Sequence, residues 1–247
     1  MVLRLAGPLQ SWGEHSTFTD RDTLRYPTCS GITGIFAAAQ GLRRGESLER
    51  YAPLSLTVRV DRPGVHLADF HTTGGGLPRE RTVPTAAGGR RAEGTATIVT
   101  RRMYLSDAVF TVAVEGPCAL TGQIAAALRH PCWQPYLGRR SCPPDPPLLL
   151  HAEADDPVAD LYQLVPLPRR RTAGQDHIIV DMITETPSPG AMLTEVADVP
   201  AVFSRYDRRY RSRAIYRHTA QLPAALARWR SAAEYHRALA EYARRPS

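Results

Sequence analysis

The stretch from Tyr26 to Gln40 constrains the fold most strongly, because it carries the signals of a helix start, a helix body and a helix stop. Pro27 keeps the residue before it extended, and the hydroxyls of Thr28 and Ser30 can accept hydrogen bonds from the amides that open a helix. Apolar side chains then recur with helical spacing, at Ile32, Ile35, Phe36 and Ala39. With Gly41 as a stop, the pattern predicts an amphipathic helix packed on a core.

Two glycines, Gly31 and Gly34, fall in the first turn of this helix. Each costs about 1 kcal/mol of helix propensity relative to alanine. That cost suggests a close approach to the backbone, either by a neighbouring strand or by a phosphate held at the positive end of the helix. Simple packing remains an equal alternative for either glycine taken alone.

Composition places the chain among ordinary globular proteins. Its 247 residues are enough for one large domain or two small ones, and 43% are hydrophobic while 22% are charged. No apolar run approaches the roughly 18 residues that a membrane span needs, and the first residues lack the pattern of a signal peptide, so we expect a cytoplasmic protein.

The four cysteines point to no metal site. No two are spaced as C-x-x-C, and His130, Cys132 and Cys142 match no standard zinc spacing. We therefore expect reduced thiols, no metal and no cofactor.

All 31 cationic residues are arginine, and the net charge is +7. The lack of lysine excludes a phosphate-loop lysine, a Schiff-base lysine and a lysine general acid. Arginine is suited to forked phosphate contacts and to stacking on bases. Nucleic acid is thus the first partner to consider, although the charge alone would equally serve solubility.

The first part of the chain alternates strand and helix patterns. Strands are predicted over residues 2–5, 55–60, 104–114 and 148–150, and a second helix over 121–129 with Thr121 as its cap. With the helix after Pro27, the order is the βαββαβ pattern of a ferredoxin-like or RNA-recognition-motif sheet. We predict an α+β fold in which residues 1–151 form this domain.

Residues 69–102 interrupt that pattern with a glycine-rich, basic segment. It holds few large apolar residues and six arginines against two glutamates: Arg79, Arg81, Arg90, Arg91, Arg101 and Arg102 against Glu80 and Glu93. Such a segment cannot build its own core, which predicts a protruding hairpin or loop that orders on an anionic partner. A disordered surface insertion is the alternative.

The sequence pattern over residues 152–220 predicts a smaller β-rich region. Strands are expected over residues 160–167 and 177–183. Arginine and tyrosine alternate over residues 205–217, as in a strand that faces a phosphate backbone or in a solvated edge strand. The apolar spacing over residues 221–247 predicts a C-terminal amphipathic helix. We expect it to start at Pro223 and to pack on the domain or on a partner.

Four segments of the first 145 residues resemble the motifs of a known family, in the family's order: LRLAGPLQSWG at 3–13, PTCSG at 27–31, YLSDAVFTV at 104–112 and YLGRRSCP at 136–143. They resemble the CRISPR-associated Cas-five (Cas5) family, and specifically its type I-E branch. The last third of the chain is poorly covered by the resemblance, and the terminal helix looks like an extension.

The resemblance implies a RAMP domain whose β-hairpin thumb corresponds to residues 69–102. It implies a non-catalytic RNA-binding subunit of the Cascade ribonucleoprotein complex, which holds the 5′ handle of the CRISPR RNA (crRNA), caps the backbone and supports antiviral DNA recognition. The implied partners are the crRNA, the backbone subunit CasC and the large subunit CasA, with CasB and CasE in the same complex. Target DNA would be contacted only indirectly, and no membrane is involved.

Candidate RNA-binding residues fall into three groups. They are Gln10, Trp12, Arg25, Ser30 and Gly31 around the first helix; His71, Arg81, Arg101 and Arg102 in the thumb; and Tyr136, Gly138, Arg139, Arg140 and Ser141 in a proline-bounded loop. Helix amides would receive phosphates, the arginine pair would make bidentate contacts, and Trp12 or Tyr136 would either stack on a base or belong to the core. Relatives often have arginine where Cys29 stands, which makes Arg25 the candidate substitute.

Two other functions compete with RNA binding by a Cascade subunit. One branch of the family cuts precursor crRNA without metal, which needs a base, an acid and a cation at the phosphorane. That branch is thought to use tyrosine, histidine and lysine, so here only His71 and Tyr104 with an arginine could serve, and we expect no catalysis. A generic RNA or DNA chaperone would bind any sequence with a steep salt dependence.

Overall fold

The computed structural model describes residues 1–14, 19–85, 87–94, 96–169, 174–204 and 208–246. Within these ranges the strands are β1 (Val2–Ala6), β2 (Leu9–Gln10), β3 (Asp20–Arg21), β4 (Ser55–Arg62), β5 (Val65–Thr73), β6 (Ile98–Ser106), β7 (Val109–Glu115), β8 (Leu149–His151), β9 (His177–Thr184), β10 (Met192–Phe203) and β11 (Arg208–Pro223). The α-helices are α1 (Cys29–Ala39), α2 (Cys118–Arg129), α3 (Pro157–Gln163) and α4 (Ala232–Ala243). Short 3₁₀ turns cover Glu49–Tyr51, Arg79–Arg81 and Ala224–Ala227.

A seven-stranded antiparallel sheet runs in the order β10-β11-β9-β4-β7-β1-β8. The predicted βαββαβ series corresponds to β1, α1, β4, β7, α2 and β8, whose strands lie side by side as β4-β7-β1-β8. The C-terminal strands continue this sheet, since β9 pairs with β4. The mixed α+β architecture predicted from the sequence is confirmed.

Both faces of the sheet are covered, because successive side chains of a strand point to opposite sides. On one face Leu3 and Val112 belong to a core with Phe36 of α1 and Ile124 of α2. On the other, Val2 and Ala113 belong to a second core with Leu161 of α3 and Leu239 of α4. The C-terminal helix therefore packs on its own domain.

A smaller sheet is built around β6, which pairs with β5 along one edge and with β2 and β3 along the other. β5 and β6 form a hairpin in register from Val65–Ser106 to Thr73–Ile98. Most side chains of β5 are exposed, so the hairpin projects from the domain. The predicted protrusion is present, but its strands begin and end outside the predicted limits of 69–102.

The prediction of one strand over residues 104–114 is wrong. Asp107 has a left-handed φ of 55° and turns the chain between β6 and β7. The two strands then enter different sheets: β6 joins the hairpin, and β7 lies between β1 and β4.

The predicted strand over residues 160–167 is also wrong, because the chain forms α3 there. Asp156 caps this helix, its Oδ1 accepting from the amide of Ala159 at 2.8 Å. Pro157 occupies the first turn, where its missing N–H has no penalty. This Asp-Pro start outweighs the strand-like apolar run that follows it.

Two helices start elsewhere than predicted. α2 begins at Cys118, and Thr121 lies inside it with its hydroxyl donating to the Cys118 carbonyl at 3.2 Å. α4 begins at Ala232, nine residues after Pro223, with Ser231 as its cap.

Strand β10 was not predicted at all.

No helix within the described residues combines the length and the apolar character needed to cross a membrane.

Candidate nucleic-acid interface

The start of α1 is occupied by an internal carboxylate. Thr28 caps the helix as predicted, accepting from the Gly31 amide at 3.2 Å. The Cys29 amide donates to Oδ2 of Asp198 at 2.6 Å, and Asp198 is only 1% exposed. The anion expected at this helix end is thus supplied by β10, which leaves less of the helix terminus available to a phosphate.

Arg213 of β11 holds that carboxylate in place. Its Nε and Nη2 donate to Oδ1 and Oδ2 of Asp198 at 2.7 and 3.0 Å, and its Nη1 donates to Glu185. Burial disfavours the charged guanidinium, but the two carboxylates outweigh burial and raise the pKa of Arg213 above its ordinary value. Burial also raises the pKa of Glu185 and of the Cys29 thiol.

The two glycines of α1 have different environments. A Cβ on Gly31 would lie 2.7 Å from Cε3 of Trp12, so the close approach comes from an indole ring and not from a strand or a phosphate. A Cβ on Gly34 would meet nothing within 4 Å. Ser30 is half-buried, with its hydroxyl 3.4 Å from that of Thr28.

Gln10 and Trp12, predicted to contact RNA, are both 0% exposed. Gln10 donates through Nε2 to the carbonyls of Leu5 and Ala108 at 3.1 and 2.8 Å, and its Oε1 accepts from the Trp12 indole at 3.1 Å. Both side chains therefore belong to the interior: Trp12 follows the core alternative, and neither side chain is exposed to a base in this structure. Arg25, by contrast, is exposed.

The loop at residues 136–141 is fixed by a glycine. Gly138 has φ +86°, and a Cβ there would lie 1.6 Å from the Ser11 carbonyl oxygen. This close approach sets the loop against the chain that follows β2. Tyr136, Arg140 and Ser141 are exposed at its surface.

Arg139, predicted to make a bidentate RNA contact, forms hydrogen bonds within the protein through both Nη atoms. Its Nη1 donates to the Met103 carbonyl at 3.0 Å, and its Nη2 to the carbonyls of Arg21 and Asp22 at 3.1 and 3.4 Å. The guanidinium lies 4.6 Å from the centre of the buried Tyr104 ring. Arg139 thus joins the loop to β3 and β6, at the base of the hairpin.

The hairpin presents arginine and an aromatic ring to solvent. Arg101 is exposed and pairs in register with Phe70, which is 70% exposed. Sequence reasoning missed Phe70, although its alternation with polar neighbours in β5 was a signal. Arg81 is exposed, Arg102 donates to the Thr100 hydroxyl at 3.2 Å, and His71 contacts the Asp69 carboxylate.

Among the described residues, no three histidine, cysteine, aspartate or glutamate side chains come together as a group that could hold a metal ion.

Known proteins similar to this chain are consistent with these features. The family described as CRISPR-associated protein (Cas_Cas5) matches residues 1–216. The CRISPR system Cascade subunit CasD of Escherichia coli strain K12 is 36% identical over 175 residues, which is 68% of this chain and 77% of that protein. A solved chain of a CRISPR RNA-guided surveillance complex is 54% identical with a TM-score of 0.88, over 99% of both chains. A solved Cas protein is 31% identical with a TM-score of 0.62, over 92% of this chain and 97% of that one.

Proposed function

The chain belongs to the Cas5 family of CRISPR-associated proteins, and we propose that it is the CasD-type subunit of a type I-E Cascade complex that holds the 5′ handle of the crRNA without cutting it. The similarity to E. coli CasD over 68% of the chain, and to a surveillance-complex chain over 99% of it, supports membership of a CRISPR effector complex. CasC and CasA would be its neighbours, with CasB and CasE in the same assembly.

A ferredoxin-like RAMP core fits this role. The antiparallel order β4-β7-β1-β8, with α1 and α2 in the core of one face, supports that assignment. Such a sheet provides a rigid base for loops and a hairpin that contact RNA.

The observation that carries the proposal is the exposed arginine-bearing hairpin and the way its base is anchored. Arg139 ties the base to two other segments of the chain, so Arg101 and Phe70 project from a fixed support. A guanidinium beside an exposed ring suits a single strand, in which the phosphate pairs with arginine and the base stacks on the ring. Arg140 and Tyr136 offer the same pair of groups in the neighbouring loop.

The geometry gives little support to the alternative, a metal-independent endoribonuclease. His71 lies opposite Thr100, four residues along β5 from the Leu67–Tyr104 pair, which is about 13 Å at roughly 3.3 Å per residue. Tyr104 is buried beneath Arg139. These positions give no sign of an acid and a base prepared to act on one phosphodiester.

Co-purification tests the proposal directly. A tagged chain expressed together with the other Cascade subunits and a type I-E repeat array should retain crRNA with an intact 5′ handle, together with CasC and CasA. A variant lacking residues 74–94 should fold but retain much less crRNA, because the hairpin would lose its tip. Normal assembly by that variant would show that the hairpin is not a thumb.

Incubation with labelled repeat RNA in the absence of metal distinguishes binder from enzyme. We expect a stable complex and intact RNA. Defined cleavage 5′ to the handle would contradict the proposal and favour the nuclease.

A further inference from the structure

A crevice of about 580 Å³ lies at the root of the hairpin, on the face of the large sheet opposite α1. Its walls come from the end of β1, the two chain segments that enter and leave the hairpin at Arg62 and Asp107, the loop at Arg169, and the start of α4. The sequence did not single it out, because its parts lie far apart along the chain.

Arg4 forms part of this lining and is only 5% exposed. Its guanidinium makes long hydrogen bonds to neutral oxygens, at 3.3 Å to the Tyr235 hydroxyl and at 3.4 and 3.3 Å to the carbonyls of Asp145 and Pro146. No carboxylate among the described residues forms an ion pair with it within 4.0 Å. A buried cation without a counter-ion is unfavourable, and an anion in the crevice would relieve it.

The rest of the lining adds positive potential. Arg62 is exposed, and its guanidinium forms a long hydrogen bond of 3.3 Å to the Pro168 carbonyl. Arg169 donates to the carbonyls of Asp61 and Ile179. The 12-residue helix α4 begins here with Ser231 as its cap, and the carboxylate of Glu234 in its first turn accepts from the Arg230 amide and offsets the positive end of the helix dipole, so the positive potential of the crevice comes from the arginines.

The charge balance favours a singly charged anion. Three arginines (Arg4, Arg62, Arg169) and two aspartates (Asp107, Asp145) line the crevice, which leaves one positive charge with His236 neutral. A phosphodiester carries one negative charge. We propose that the crevice binds a phosphate of the RNA strand as it passes the root of the hairpin, an inference that rests on the proposed function.

Two neighbours favour RNA over an acidic peptide. Trp229 lines the crevice half-buried, with its Nε1 donating to the Leu167 carbonyl and its ring packed against the second core, so only the exposed part of the ring is available to a base. Arg228 and Arg230 are exposed beside it and extend the positive surface along the rim.

The test measures the affinity of the full chain for labelled single-stranded handle RNA over a series of salt concentrations. Arg62→Gln should lower the slope of log K against log salt by about 0.7, the value of one phosphate contact on a single strand. The matched control is Arg237→Gln, an exposed position of α4 outside the crevice lining, which should leave the slope unchanged. Arg4→Met should lower the slope as Arg62→Gln does; if it fails to fold, the Arg62→Gln result decides.

The outcomes separate this inference from the proposed function. Tight RNA binding with the same slope for Arg62→Gln and wild type would overturn the crevice assignment and leave the proposed function standing. No RNA binding by the wild-type chain would overturn both. Arg62-dependent binding of a glutamate-rich peptide, without any effect of Arg62→Gln on RNA, would assign the crevice to a protein partner and contradict the RNA site.

Discussion

Replacing Asp61 by asparagine should destabilise the protein more than any surface charge change, because Asp61 neutralises a fully buried arginine. Arg59 and Asp61 are both 0% exposed, with Nε of Arg59 2.6 Å from Oδ1 of Asp61. The other N–H groups of Arg59 reach Asp61 Oδ2 and the carbonyls of Leu161, Val165 and Pro166, so all five donors are used. The pair ties β4 to the C-terminal end of α3.

Breaking a buried pair by removing one partner costs about 3–5 kcal/mol. In a chain of this size that lowers the unfolding midpoint by about 6–20 °C, at roughly 2–4 °C per kcal/mol. Asp61→Asn keeps the shape of the side chain, so the loss reports the uncompensated charge on Arg59 together with the weakened hydrogen bond from the Thr111 hydroxyl to Oδ2. Urea unfolding followed by circular dichroism measures the free energy of unfolding.

The control is Asp181→Asn, which breaks the pair with Arg217. That pair has a similar distance of 2.7 Å, but its side chains are 48% and 31% exposed. Exposed pairs contribute about 0–1 kcal/mol. Equal losses for Asp61→Asn and Asp181→Asn would refute the argument that burial makes the first pair structurally essential.

Three further predictions follow from local geometry. Gly31→Ala should lose about 1–3 kcal/mol of stability through overpacking against the indole ring, whereas Gly34→Ala, with open space around it, should gain up to about 1 kcal/mol; urea midpoints of the two variants compare them. Arg139→Ala should lower the melting temperature because three backbone carbonyls lose their donor, and Arg140→Ala should keep it while weakening handle binding; the reverse order would contradict the roles given to them. Burial raises the pKa of Tyr51 to about 12, so its contribution to stability should be complete below pH 10 and lost as the pH rises toward 12; because burial raises the pKa of several other tyrosines as well, absorbance titration should show Tyr51→Phe with one late-titrating tyrosine fewer than wild type.

Local signals predicted the parts of the fold that local interactions determine. The first helix was recognised because its cap, its apolar stripe and its stop lie within fifteen residues, and the structure places α1 there. β1, β4 and β9 followed from alternation and apolar runs, and each lies within two residues of its predicted limits. The basic segment was correctly predicted to protrude, since it contains too few apolar residues to be buried.

Long-range partners explain most of the errors. The anion at the start of α1 is Asp198, 169 residues away along the chain, and no local pattern points to it. β10 escaped prediction because Pro200 and Asp198 are unusual in a strand, yet the strand shifts register at both places and Arg213 satisfies the carboxylate.

Surface loops were the least predictable part of the candidate site. Trp12 and Gln10 lie in a segment that reads as an exposed loop, but they fill space between α1 and the small sheet. Arg139 and Arg140 are adjacent and chemically identical, yet one is bonded to three carbonyls and the other is exposed. Only the folded arrangement separates the two roles.

The most direct measurement of the central claim is a competition experiment with the purified chain at fixed salt. Labelled handle RNA is bound first, and unlabelled handle RNA or a scrambled RNA of equal length and composition is then titrated in. Specific retention of the guide's 5′ end predicts that the handle displaces the label at much lower concentration than the scrambled RNA. Equal displacement by both RNAs would contradict the claim and indicate a basic protein that binds any single strand.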